Sequence, residues 1–233
     1  LYNGGLEFEG FEAIAFHQEK NILFLTVEAN IAEITMKGFL VRGRIDPASL
    51  RINVNLYENP PVEIPADVNI RNFTYETLLV TGKKVIAIYE ANGKNVNPRP
   101  KAYAYDHDLK TRTPIFFPHI GYRLTDATAV NLRNRFWCTN FYYPGDKERL
   151  LLENSGKNKE PVERLAGFKY DESGITLISS GFISLELLCK NPDCGRNWEG
   201  IVRFRDKSLN KDGFLVVTDK HPRTILGFVA KYE

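Results

Sequence analysis

Cysteine, methionine and tryptophan are scarce in this chain: three, one and two among 233 residues. Three cysteines are too few for a disulfide scaffold. Cys189 and Cys194 stand at Cys-x4-Cys spacing with no second Cys/His pair to complete tetrahedral zinc. In an oxidising compartment they can close across the turn Lys190-Asn191-Pro192-Asp193 and leave Cys138 free; in a reducing one all three are thiols. No apolar run approaches the roughly 20 residues of a bilayer-spanning helix. An excess of charge of one sign is missing too. With 31 basic and 29 acidic residues the net charge is +2, which gives no field suited to nucleic acid or an anionic membrane surface. Helical periodicity is weak, with only Asp146–Asn154 reading as a short helix. Without alternating strand and helix signals, doubly wound and barrel α/β folds are excluded. Neither a Gly-x-Ser-x-Gly elbow nor a Walker phosphate loop is present. No signal peptide is visible, and the start Leu1-Tyr2-Asn3-Gly4-Gly5 reads as a processed or incomplete N-terminus.

What the chain does have is strand. Short runs rich in Val, Ile, Tyr, Phe and Leu, bounded by Gly, Pro, Asn and Asp, cover Ile22–Val27, Gly38–Ile45, Arg51–Tyr57, Lys84–Tyr89, Lys101–Tyr105, Arg135–Phe141, Gly174–Ile178 and Phe214–Thr218. They fall into a repeat. Four segments each place an acid before a small apolar strand, then a turn, then a hydrophobic strand that ends in Glu, Asn or Asp. The paired polar marks are Glu12 with Glu28, Glu76 with Glu90, Asp126 with Asn140, and Glu199 with Asp219, at spacings of 16, 14, 14 and 20 residues. Further strands follow most copies, so each unit amounts to about four antiparallel strands. Four-stranded units repeated around an axis are the blades of a β-propeller. The expected fold is therefore all-β, a single propeller domain over residues 1–233 with four blades visible. One or two more are expected ahead of Leu1 in the intact protein. The last unit has only three strands, Trp198–Arg205, Phe214–Thr218 and Thr224–Val229, and Leu1–Phe8 is a candidate to close its sheet.

The first strand of a blade lines the axis, so Glu12, Glu76, Asp126 and Glu199 are expected to converge at one mouth of the central channel. Crowded carboxylates raise one another's pKa. A hard cation relieves this, and calcium takes 6–8 oxygen ligands. Glu28, Glu90, Asn140, Asp219 and His221 are expected around that mouth, with Asn140 and Asn72 as neutral oxygen donors. The competing reading is that these acids pair with Arg42, Arg123, Arg203, Lys220 or Arg223, or cap loop backbone. His119 is read as a loop histidine. The aromatics Phe136-Trp137 and Phe141-Tyr142-Tyr143 read as core on one side and as a binding ledge on the other.

The segments Trp198-Glu199-Gly200-Ile201 and Gly213–Leu226, with Glu12-Ala13-Ile14-Ala15 and Thr125-Asp126-Ala127-Thr128, resemble the phytase-like ("esterase-like activity of phytase") propeller family. More distantly, the acid and amide pattern is similar to that of calcium-dependent lactonase and phosphotriesterase propellers. The resemblance implies a propeller exported to the periplasm or secreted, with Glu12, Glu76, Asp126 and Glu199 at the positions that hold calcium. This chain departs from those enzymes in having Glu at three of the four positions. Two functions follow. One is a binding protein that takes a small molecule, a glycan or a protein at its mouth, with an axial calcium site and no reaction. The other is a calcium-dependent hydrolase of phosphoesters or lactones, with calcium polarising the substrate oxygen and a carboxylate as base or nucleophile.

Overall fold

A computed structural model describes residues 6–31, 35–152, 161–185, 196–208, 210–219 and 224–230. The protein is all-β. Its described residues form strands β1 (Leu6–His17), β2 (Ile22–Ile31), β3 (Thr35–Ile45), β4 (Ile52–Asn53), β5 (Val62–Ile64), β6 (Thr77–Val80), β7 (Lys84–Ile88), β8 (Lys101–Asp106), β9 (Arg112–Phe116), β10 (Arg123–Ala127), β11 (Arg135–Tyr142), β12 (Val162–Asp171), β13 (Gly174–Ser184), β14 (Trp198–Asp206), β15 (Lys211–Thr218) and β16 (Leu226–Ala230). The only helical turns among them are 3-10, at Gln18–Lys20 and Pro144–Asp146. The short helix expected over Asp146–Asn154 is absent as far as Leu152. Pro144 starts a single 3-10 turn instead, and the chain continues in turns.

The chain divides into two compact units. Leu1–Glu90 with Pro100–Phe117 form the first, and Ala91–Arg99 with Pro118–Glu233 the second. In the first unit β1-β2-β3-β4 form one antiparallel meander with β5 added to β3, and β6-β7-β8-β9 form another. Strand β1 packs beside β6. In β2, Leu23, Leu25, Val27 and Ala29 alternate into an apolar cluster with Phe39 and Val41 of β3. The opposite face of β2 therefore carries Phe24, Thr26, Glu28 and Asn30. Strands β7 and β8 read as continuous apolar runs because they are buried on both faces, from Val85 to Ile88 and from Ala102 to Tyr105.

The second unit repeats the plan. Strands β10-β11-β12-β13 form one antiparallel meander and β14-β15-β16 a second of three strands. Here β10 packs beside β14. Trp137, Leu165, Trp198, Ile201, Phe214 and Val216 form the apolar core that joins the two sheets.

Two strand expectations change. Leu6–Phe8 does not stand apart as a closing strand: it is the first part of β1 and pairs with Ala29–Ile31 of β2. Arg51–Tyr57 shrinks to Ile52–Asn53, because the Asn55 side chain accepts the backbone N–H groups of Tyr57 and Glu58 and turns the chain away.

Candidate functional site

The acids that open the repeats share a backbone irregularity. The pairing of β1 with β2 slips between Phe11 and Ala13, that of β10 with β11 between Leu124 and Ala127, and that of β14 with β15 between Trp198 and Gly200. Glu12, Asp126 and Glu199 lie in these slips, and Glu76 immediately precedes β6. A bulge re-aims a side chain away from simple alternation. The repeat thus copies a bulge along with an acid, but the two units use the acid differently.

In the first unit the acids gather around Glu28. Glu28 pairs with Gly10 on one side and Gly38 on the other. Neither neighbour carries a Cβ, and both gaps are filled from elsewhere. A Cβ on Gly10 would meet Glu12 Oε1 at 2.7 Å, and one on Gly38 would meet the Tyr75 ring at 2.9 Å. Glu28 is 5% exposed, and its Oε1 has no hydrogen-bond partner among the described residues. Its pKa is raised to about 8, first by burial, then by Glu12, Glu90 and Glu9; a hydrogen bond from the Thr74 side chain opposes the rise. Glu76 and Glu90 are buried nearby. Burial pushes the Tyr89 hydroxyl up, and Glu90, Glu28 and Glu76 add to this, which places all three acids within electrostatic reach of one phenol. The expected pairings of Glu12 with Glu28 and of Glu76 with Glu90 belong to this single group. Along the same face of β2, Thr26 Oγ1 and Asn30 Oδ1 are also buried without hydrogen-bond partners.

A wall of tyrosines supports the group. Tyr75 and Tyr89 rings meet edge to face at 5.3 Å. The Tyr75 hydroxyl donates to the Pro65 carbonyl, Tyr89 to Phe73 and Tyr103 to Asp67, so three phenols pin the segment that leads to Thr74. Asn72, expected as a neutral oxygen donor to the cation, is exposed in a left-handed turn (φ 63°).

In the second unit the corresponding residues are spent on structure. Asp126 Oδ2 accepts the Ile201 backbone N–H at 2.7 Å and so ties β10 to β14. Burial raises the Asp126 carboxyl to about 7 against the pull of that bond. Asn140 is fully buried. Its amide donates to the carbonyls of Gly121 and Arg123, and its oxygen accepts from Arg164 Nε at 2.7 Å. Both side chains are engaged in these bonds, as the backbone-capping reading expects of such residues. Glu199 is exposed and accepts from the Asn197 side chain, and Asp219 is exposed. His221, Lys220, Arg223, Cys189 and Cys194 lie outside the described residues. Cys138 is a buried free thiol. His119 is exposed, with Nε2 3.2 Å from the Pro98 carbonyl, as a loop histidine.

The donors of the first unit are all oxygen, which suits a hard cation and not zinc. Among the described residues no three His, Cys, Asp or Glu side chains are already drawn together closely enough to hold a metal ion.

The chain matches no protein-family model and no curated protein. Among solved structures it is similar to two mutants of the Synechocystis apocarotenoid oxygenase, each at 12% identity and TM-score 0.41. These matches cover 97% and 96% of this chain and 50% of that one. It is also similar to Kuenenia stuttgartiensis hydrazine synthase, at 10% identity and TM-score 0.36, over 90% of this chain and 65% of that one. The chain thus spans about half the length of the oxygenase. Likeness at this level decides neither architecture nor activity. No helix among the described residues is long and apolar enough to cross a membrane.

Proposed function

We propose that this chain is part of an exported β-propeller binding protein whose ligand seat is the acid group around Glu28, and that the group takes calcium. The antiparallel meanders β1-β2-β3-β4, β6-β7-β8-β9, β10-β11-β12-β13 and β14-β15-β16 follow one another along the chain, as the strands of successive blades do. The packing of first strand on first strand within each unit fits that arrangement. The phytase-like reading rests on the short blade signatures alone.

One observation carries the cation. A carboxyl with an unpartnered oxygen is buried beside other acids, and it is held neutral by a proton instead of a counter-ion. Protein interiors pair or neutralise such groups. A calcium ion would replace that proton and draw in the neighbouring carboxyls. Glu12, Glu28, Glu76 and Glu90 are the residues to hold it, and the tyrosine wall keeps their surroundings fixed. Asp126 and Glu199, first expected in the same set, are not needed for this site.

The test is metal analysis of the purified protein, with thermal melts at pH 8.5 in calcium and in chelator. The proposal expects bound calcium and a melting temperature several degrees lower in chelator. Calcium-free protein with superimposable melts would overturn it.

A further inference from the structure

The second unit contains a cation for which the described residues supply no counter-ion. Arg164 lies on β12, half-buried, and its burial lowers its pKa. Among the described residues no carboxylate pairs with it, and its Nη atoms make no hydrogen bond; Nε is taken by Asn140 Oδ1 at 2.7 Å. The side chain is flanked from both directions along the sheet. Tyr122, just ahead of β10, presents its ring 5.2 Å from the guanidinium carbon, and Phe182 of β13 presents its own at 3.9 Å. Each is within cation–π range.

The surroundings are built to hold it there. Asn140, which fixes Nε, donates to the carbonyls of Gly121 and Arg123, the residues on either side of Tyr122. Tyr122 has a φ of 73°, a left-handed conformation costly for a bulky residue, and it stacks on Tyr142 at 5.1 Å. Strain, a buried amide and two aromatic faces all position one guanidinium. With Nε used, the end of the fork formed by the two Nη groups is left to a ligand. Phe182 is 42% exposed beside it.

We propose that Arg164 is the anchor of a binding site for a small carboxylate carried on a flat apolar or aromatic body. The two Nη groups form a bidentate pair with the planar carboxylate, and the body lies along the exposed part of Phe182. A tetrahedral oxyanion fits less well, because its out-of-plane oxygens face aromatic rings. This site is separate from the acid group and does not depend on it.

The test is titration of the full chain with benzoate, acetate and inorganic phosphate at constant ionic strength, followed by calorimetry or by NMR shifts. The site predicts saturable one-to-one binding with benzoate tightest and acetate weaker. Arg164→Met lowers benzoate affinity at least tenfold, Arg164→Lys several-fold, and Phe182→Leu, which leaves the charge in place, about threefold, in line with the strength of charged hydrogen bonds and cation–π contacts. Melts of each variant separate lost binding from lost fold, and Phe182→Leu at an exposed position guards against misfolding of the Arg164 variants. Absence of saturable benzoate binding, unchanged affinity in a folded Arg164→Met, or phosphate binding as tight as benzoate would each overturn the proposal.

Discussion

The Glu12 carboxyl occupies space left by Gly10: its Oε1 lies 2.7 Å from where a Cβ on that glycine would stand. Gly10 is also the cross-strand partner of Glu28, so the missing methyl is what lets one acid approach another. Gly10→Ala should push the Glu12 carboxyl aside. It removes one of the charges that raise Glu28, whose pKa then falls below its value of about 8. Carboxyl-carbon NMR titration of the two proteins reads this directly. Overall stability should change by under about 1 kcal/mol, since the displaced group is the end of a flexible side chain.

Gly38→Ala should behave differently. There the obstacle is the Tyr75 ring at 2.9 Å, fixed by its hydroxyl bond to Pro65 and by packing on Tyr89. Overpacking against a rigid aromatic costs about 1–3 kcal/mol. Denaturant unfolding of the variant checks it, and an unchanged midpoint would show that the wall yields.

Glu28 sets a pH dependence of stability. Its folded pKa, about 8, lies well above the ordinary glutamate value of 4.5. A group raised in this way favours the folded state fully below the unfolded pKa and loses that contribution as pH climbs through the folded one. Stability should therefore decline between about pH 5 and 8 and level off above, by an amount on the order of a few kcal/mol at most. Glu28→Gln is neutral at every pH and should flatten this part of the profile. The variant should be the more stable protein at pH 9 without calcium. Thermal melts from pH 5 to 9 test this, and parallel profiles for the two proteins would contradict it.

Asp126 offers a contrast between charge and hydrogen bond. Asp126→Asn keeps an acceptor for the Ile201 N–H and drops a carboxyl that burial has raised to about 7. It should be near neutral at pH 4 and stabilising at pH 8.5, because the wild-type carboxyl loses stability as pH rises from its unfolded value to about 7. Asp126→Ala leaves the Ile201 amide unpaired and should be about 1–3 kcal/mol less stable than Asp126→Asn at both pH values. Denaturant melts of the two variants at these pH values distinguish the roles.

The β framework was legible because its signals are local. Leu23, Leu25, Val27 and Ala29 alternate with Phe24, Thr26 and Glu28 along β2, and the repeat of acid, small strand, turn and hydrophobic strand already sets Glu12 against Glu28 in the sequence. The use of each acid was not legible. Asp126 and Glu12 occupy the same place in the repeat, yet one is consumed by the Ile201 amide and the other faces Glu28. The choice depends on what the neighbouring sheet presents, and the bulges remove the alternation that would have told the faces apart. Gly10 and Gly38 carried a hint, since glycine inside a strand marks close approach. Arg164 carried none: a lone arginine in a strand reads as surface, and its isolation depends on Asn140, Tyr122 and Phe182, which are distant in sequence. Of the segment Leu1–Phe8 expected to close the last sheet, Leu6–Phe8 pairs with Ala29–Ile31 instead, and Leu1–Gly5 lie outside the described residues.

The most direct measurement is calcium titration by calorimetry at pH 7 in two buffers of different ionisation enthalpy, which counts the protons displaced per ion. If the acid group is a calcium seat, the protein binds calcium and releases close to one proton, and Glu28→Gln binds more weakly and releases none. Calcium binding without proton release, or with equal release from Glu28→Gln, would place the ion elsewhere, and no binding between pH 7 and 9 would leave Glu28 as a buried neutral acid and nothing more.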